Sequence, residues 1–483
     1  MFNLAQLKNK KLSLLLVIIS TLFYFLLTYT LHRTDYLKLV LLYSGLFVIF
    51  YKLIQLNKEK VQFLTAVAFL FRAVFILAIP NLSQDFYRFI WDGRMILEGL
   101  NPYLYTPEFF ISNGEFPVAQ AQELYVGMRE LNGSHFTNYP PISQLCFAIA
   151  GLLSGKSIVG ATLVLRLIII AADFGTLYYG KKLLAKLKLP VHQIFWFALN
   201  PFIILELTGN LHFEGVMIFF LVWSLYLLHQ DKWKLAAVIF GISIATKLVP
   251  IMFLPLLFWW FVPKNKNVIT SATKQSAKKK TFARLFSTSH ERRKTGLMHL
   301  ICFYLIVGMT ILLLFAPFFS IQFLDNYSQT VGLWFGNFEF NASIYYLARA
   351  IGYLFRGWNE IAIIGKVLPI ITVLCILYLS FYLKNSTIKK LIIGMLFSFT
   401  IYLFLSTTVH PWYIATILIL SVFTNYKFPL IWSFVVILSY FAYANENNVE
   451  NLWIVGLEYI IVFSVFIWEV FLKKKKEIAF KSY

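Results

Sequence analysis

Residues 83–94 read Ser-Gln-Asp-Phe-Tyr-Arg-Phe-Ile-Trp-Asp-Gly-Arg, the densest run of reactive side chains in the chain. On a helix, Asp85, Arg88 and Asp92 fall at i, i+3 and i+7 and share one face, with Tyr87, Trp91 and Arg94 forming an adjacent stripe. A carboxylate held beside guanidinium groups at a membrane surface can take a proton from a hydroxyl while the arginines hold a phosphate. The same run also fits a juxtamembrane helix of ion pairs and interfacial aromatics that does no chemistry.

Other polar residues interrupt apolar sequence and so need partners or an aqueous pocket. Lys247 lies near the middle of the apolar run 235–262, and His212 and Glu214 follow Asn210 between two apolar runs. His410-Pro-Trp412-Tyr413 joins a titratable imidazole to an interfacial aromatic pair. Gly99-Leu-Asn101-Pro-Tyr is a turn-forming run that ends a helix, and Asn138-Tyr139-Pro-Pro marks a return of the chain to the membrane or a stiff corner. Residues 150–157 fit a permissive phosphate-loop pattern ending Gly-Lys-Ser, but membrane-type apolar sequence flanks it where a strand and a soluble helix are required, so nucleotide binding is rejected.

The elements that position these residues follow from composition. Of 483 residues 59% are apolar and 13% charged, and the mean hydropathy is +0.71, so lipid is the expected solvent. Crossing a bilayer core of ~30 Å takes about 20 apolar residues. Runs long enough recur at 12–31, 37–54, 61–80, 158–180, 297–317, 361–383 and 452–471, with shorter ones between. Backbone polar groups in hydrocarbon must be satisfied within the segment, and the Leu, Ile and Phe content excludes a barrel. The expectation is an all-α polytopic bundle of about 11 to 14 transmembrane helices forming one unit over 1–483.

The net charge of +21 resides in short basic segments beside apolar runs, which argues against a nucleic-acid partner and for membrane orientation. Cys146, Cys302 and Cys375 lack the spacing of a metal site or disulfide framework and read as packing residues. The first apolar run is expected to be a retained helix rather than a cleaved signal. The N-terminus, Lys52 to Lys60, the segment 263–296 with ten Lys or Arg against Glu291 alone, and the Lys473 to Lys476 tail are expected in the cytoplasm. The segment 81–140 is acidic and is expected outside, as the loop that carries the site. A second outside loop is expected over 318–356, with 341–356 as an interfacial helix, and His410 to Tyr413 on the same side. The stretch 141–262 is ambiguous: Lys181, Lys182, Lys186 and Lys188 favour the cytoplasm while a simple alternation of five crossings puts them outside, a conflict resolved if 142–154 does not span and 235–262 is a broken pair of half-helices around Lys247.

Asp85-x-Tyr-Arg-x-x-Trp-Asp-Gly-Arg, then Gly99-Leu-Asn-Pro-Tyr and Tyr139-Pro-Pro, resembles the bacterial GT-C mannosyltransferases, membrane enzymes that use polyprenyl-phosphate sugars. Shorter similarities continue through Asn200-Pro, Gly209 to Gly215, Thr246-Lys-Leu-x-Pro, Phe340-Asn-x-Ser-Ile-Tyr and His410-Pro-Trp-Tyr. The resemblance implies a GT-C fold in a bacterial inner membrane, with Asp85 as base, Asp92 next in line, and a hexose, mannose by family, passing to a glycan or glycolipid acceptor. Arg88, Arg94, Lys247, Arg349 and His410 are the candidates to meet the lipid phosphate, with Tyr87, Trp91, Asn101, Tyr139, His212, Glu214, Trp412 and Tyr413 supporting. Gln84 and Glu214 stand where family members often carry an acid and an Asp, so no metal ligand is assigned; a divalent cation is compatible but not required. A transporter or flippase of a lipid-linked or anionic solute is the competing class. It would show repeats and paired discontinuous helices, and no repeat is visible. A non-catalytic assembly subunit is the third reading, and it requires the acidic loop to be dispensable.

Overall fold

The computed structural model describes residues 4–262, 289–336, 338–445 and 447–473. Most of the expected basic segment 263–296 lies outside them, as do Glu446 and the tail beyond Lys473. From Ser289 the chain is already helical, so the last basic residues of that segment open the helix Ser289–Phe315.

Among the described residues the architecture is helical throughout, with one isolated bridge between Phe340 and Thr408. Seven helices are long and apolar enough to cross a bilayer: Asn9–Tyr29, Tyr36–Leu56, Ile158–Lys186, Arg293–Phe318, Ile361–Tyr382, Ile388–Leu405 and Leu452–Leu472. The pair Val191–Ala198 and Pro201–Gly209, bent by 50°, makes an eighth if it forms one span. The expected 11 to 14 would need the shorter apolar helices, of 10–17 residues, to contribute crossings as well.

One expected span is corrected. The helix within 61–80 ends at Ala73, and the chain continues in turns. Side chains distant in sequence satisfy the backbone groups this frees: the exposed Tyr29 donates its hydroxyl to the Val74 carbonyl at 3.0 Å, and buried Arg166 donates from Nη1 to Ile76 O at 3.0 Å. Arg166 also donates to the Thr208 and Gly209 carbonyls, at 2.9 and 3.3 Å, where the bent pair ends. Arg72 meets Asp173 at 2.6 Å and donates to the Ala198 carbonyl at 2.7 Å. Irregular backbone at membrane depth is tolerated where protein groups complete its hydrogen bonds.

The apolar run 235–262 divides at Lys247, which ends the helix Trp233–Thr246 ahead of the 3-10 segment Val249–Leu257. Pro255 interrupts that second half, because an interior proline supplies no N–H and crowds the preceding turn, whereas Pro250 sits in its first turn, where proline is tolerated. The helix Pro141–Ser154, at 14 residues, is shorter than a straight crossing requires.

The long connection 81–140 is itself largely helical, with Asp85–Leu97, Pro107–Ser112 and Ala121–Ser134. The first of these packs tightly on Pro141–Ser154: a Cβ added at Gly93 would fall 2.2 Å from the Phe147 carbonyl oxygen. Hydrogen bonds tie this connection to the segment after Phe315. Asn101 Nδ2 donates to Phe318 O at 3.0 Å, Asn326 Nδ2 to Tyr103 O at 2.9 Å, and Tyr327 Oη to Asn138 O at 3.2 Å. The helix Ile344–Arg356 follows, ending at Gly357 with φ +79°, and turns Leu347, Ile351, Leu354 and Phe355 outward.

Candidate functional site

A cavity of about 880 Å³ opens where the 81–140 connection meets Lys247, the Phe338–Phe340 strand-like segment and His410–Tyr413. That volume lies in the range of ligand pockets, about 300–1,000 Å³. Its wall mixes carboxylates and cations with aromatic rings.

Asp85 begins its helix, directly after Gln84, and lines the cavity with its side chain 19% exposed. Asn132 Nδ2 donates to Oδ1 at 3.2 Å, and His212 Nε2 stands 4.0 Å from Oδ2. The carboxylate is thus oriented yet reachable from the cavity. Asp92, two turns on, is fully buried and does not line the cavity. Arg88 Nε donates to its Oδ1 at 2.7 Å and Gln144 Nε2 to its Oδ2 at 3.0 Å, so both oxygens serve neighbours. Arg88 is held by that pair and by the Asn132 and His135 carbonyls, at 2.6 and 2.9 Å from Nη1, while lining the cavity. Burial and the Arg88 guanidinium push the imidazole of His135 down to about 4.

Lys247 reaches the cavity because the chain breaks there, and its Nζ pairs with Glu214 Oε1 at 3.0 Å and lies 5.2 Å from the Tyr139 ring centroid. Arg349 lines the cavity, bonded to Glu339 and 4.4 Å over the Tyr346 ring. His410, Trp412 and Tyr413 line it as well, and Trp412 stacks on His410 at 4.5 Å and on His212 at 3.8 Å. His212 itself sits behind the wall.

Arg94, Trp91, Tyr87 and Asn101 do not line this cavity. Arg94 Nη1 donates to Ala119 O at 2.5 Å and to Gln120 Oε1 at 3.2 Å, so it holds the connection together instead of facing the cavity. Trp91 is buried, with its Nε1 donating to Met95 Sδ at 3.0 Å. Tyr87 packs at Gly127, where a Cβ would come within 2.6 Å of its ring, and Asn101 joins two loop segments.

Sequence reasoning passed over Arg33, Arg129, Asn132, Glu339 and Glu450, all in the cavity wall. Arg33 Nη1 donates to Gln84 Oε1 at 2.5 Å and its guanidinium lies 3.8 Å over the Tyr443 ring. The ion pairs found among the described residues include neither Arg33 nor Arg129. Glu450 Oε1 accepts from the Asn341 amide at 2.7 Å, and burial raises its carboxyl above the ordinary value. The signal available for Arg33 was a lone arginine in the first short connection, opposite in sign to the site it joins. Among the described residues no group of three or more His, Cys, Asp or Glu converges as a metal site does.

Fold and cavity together define a polytopic helical membrane protein with an acid-and-arginine site at the ends of its helices. Residues 17–263, just over half of the 483, match the family described as alpha-(1->6)-mannopyranosyltransferase, N-terminal domain, and the chain belongs to that family. It is similar to alpha-(1->6)-mannopyranosyltransferase A of Mycobacterium tuberculosis, 23% identical over 230 residues, covering 46% of this chain and 43% of the relative. It is also similar to GPI mannosyltransferase 1 of Gibberella zeae, 26% identical over 204 residues, covering 41% of this chain and 42% of the relative. The matched region thus spans less than half the length of each of these relatives. No solved structure matches.

Proposed function

We propose that this protein is an inverting GT-C mannosyltransferase, taking mannose from a polyprenyl-phosphate donor and passing it to a glycan or lipid-linked acceptor. The observation that carries the reading is Asp85: a carboxylate reachable from a cavity of about 880 Å³ whose wall also holds Arg33, Arg88, Arg129, Lys247 and Arg349. Asp85 takes the proton of the acceptor hydroxyl as its oxygen attacks the anomeric carbon. The bond from that carbon to the phosphate oxygen breaks on the opposite face, and its electron pair leaves with the lipid phosphate. Negative charge growing on that oxygen is best met by cations already in place. Lys247 and Arg349 are partly neutralised by Glu214 and Glu339, so Arg33 and Arg129 add charge that no carboxylate in these pairs offsets.

The charge bias of the connections supports a cavity on the extracytoplasmic face of a bacterial inner membrane, with both termini in the cytoplasm. A lipid-borne donor suits that face, where nucleotide sugars are not supplied, and the exposed apolar face of Ile344–Arg356 suits a helix lying in the bilayer interface beside the cavity.

The test is a donor screen of purified protein in proteoliposomes. Polyprenyl-phosphate mannose, glucose and arabinose are each offered with a bacterial lipid extract as acceptor; products are read by mass and their anomeric configuration by NMR. Mannose transfer with inverted anomeric configuration is expected. Transfer only from another sugar would correct the donor, and no transfer with any would set the enzymatic reading aside.

A further inference from the structure

A second carboxylate stands behind His212, away from the cavity. Glu206 lies in the π-helical stretch Ile204–Gly209 with its side chain 1% exposed, and its Oε2 is 3.2 Å from His212 Nδ1, off the line of a formed hydrogen bond. Asn210 Nδ2 donates to the same oxygen at 3.2 Å, and the Tyr440 hydroxyl donates to Oε1. The backbone is bent to bring these groups together. The π turn widens the helix, Leu211 adopts φ +63°, and the His212 amide donates back to the Glu206 carbonyl at 3.3 Å. A leucine in the left-handed region is strained, and π turns and such strain concentrate at functional sites. Stacking on Trp412 at 3.8 Å fixes the plane of the ring, leaving Nε2 toward Asp85 Oδ2 at 4.0 Å.

We propose that Asp85, His212 and Glu206 form a buried proton relay, in which Glu206 is the positioning residue. This rests on the reading of Asp85 as the base. A carboxylate facing Nδ1 selects the tautomer with its proton on that nitrogen, so the Nε2 lone pair faces Asp85. The proton taken from the acceptor hydroxyl passes from Asp85 Oδ2 to Nε2. The imidazolium so formed lies against the Glu206 carboxylate, and Asp85 returns to its ionised form. After product leaves, the proton returns through Asp85 to water in the cavity. Contacts of this kind are often long without substrate and shorten when it binds.

The relay is tested with full-length protein in proteoliposomes, with polyprenyl-phosphate mannose as donor and the lipid extract as acceptor. Glu206→Gln and His212→Gln should each lower kcat about 100-fold with the donor KM little changed. The double variant should be no slower than either single one, because residues acting as one unit are not additive. Glu206→Asp should recover part of the loss. Wild-type kcat in Glu206→Gln, or losses that multiply in the double variant, would overturn the relay. Should Glu206→Gln not fold, Tyr440→Phe removes a donor to Glu206 and leaves its charge: about 10-fold lower kcat is expected, and an unchanged kcat counts against the relay. Loss of transfer in Asp85→Asn with full transfer in Glu206→Gln discards the relay alone. Full transfer in Asp85→Asn discards the base assignment.

Discussion

Asp85 and Asp92 stand two turns apart on one helix, and their surroundings separate them. Asp85 has an amide on one oxygen and the cavity in front of it, whereas Asp92 spends both oxygens on Arg88 and Gln144 at zero exposure. Spacing placed the two on one face but carried no information on which end of that face is covered, because Gln144, 52 residues on, does the covering. Removing one member of a buried ion pair costs about 3–5 kcal/mol, since the other is left charged and unpaired. Asp92→Asn should therefore lower the thermal midpoint in detergent well below wild type, while Asp85→Asn leaves it unchanged. Equal midpoints for the two variants would contradict the assignment. His135 gives a pH signature. Its folded value of about 4 lies below the ordinary 6.5, so the unfolded chain binds the proton first and stability falls as pH drops from about 6.5 toward 4. His135→Gln should lessen that fall in thermal midpoints measured between pH 7 and pH 4.5.

At the scale of elements, the Asp85–Leu97 helix holds its place through Gly93, whose missing side chain admits the Phe147 carbonyl of Pro141–Ser154. Backbone cannot yield as a side-chain tip can, so Gly93→Ala should destabilise the protein by at least the 1–3 kcal/mol typical of overpacking, about 2 kcal/mol or more, with transfer falling in parallel. A wild-type midpoint for Gly93→Ala would contradict the close approach. Six of the seven long apolar runs visible in the sequence match a long helix; Ile388–Leu405 was absent from those runs, since Lys389 and Lys390 mark its start, and 61–80 read as longer than its helix. That last difference has a cause hydropathy cannot register: Arg166 and Tyr29, distant in sequence, satisfy the carbonyls of Ile76 and Val74. The break at Lys247 was legible because a charge interrupts an apolar run, and the helix does end there. Its partner was not, because Glu214 is 33 positions away and only the tertiary fold joins them.

For the molecule as a whole, hydropathy and charge bias sufficed to read a helical membrane protein, while the cavity depends on contacts among segments spread from Arg33 to Leu452. Orientation is open to direct test on a background in which Cys146, Cys302 and Cys375 are replaced by serine. Glu115→Cys, exposed in the 81–140 connection, should react with an impermeant maleimide added to intact cells; Lys58→Cys, exposed in the turn between the helices Tyr36–Leu56 and Val61–Ala73, should react only after the membrane is opened. The reverse pattern would move the cavity to the cytoplasmic face and remove the argument for a lipid-borne donor. The central claim, that Asp85 is the base for mannosyl transfer, is tested most directly by Asp85→Asn in proteoliposomes with polyprenyl-phosphate mannose and a lipid-extract acceptor. Wild-type protein should transfer mannose, and the variant, equally well folded and inserted, should fall by at least about 100-fold; transfer by Asp85→Asn at the wild-type rate would contradict the account.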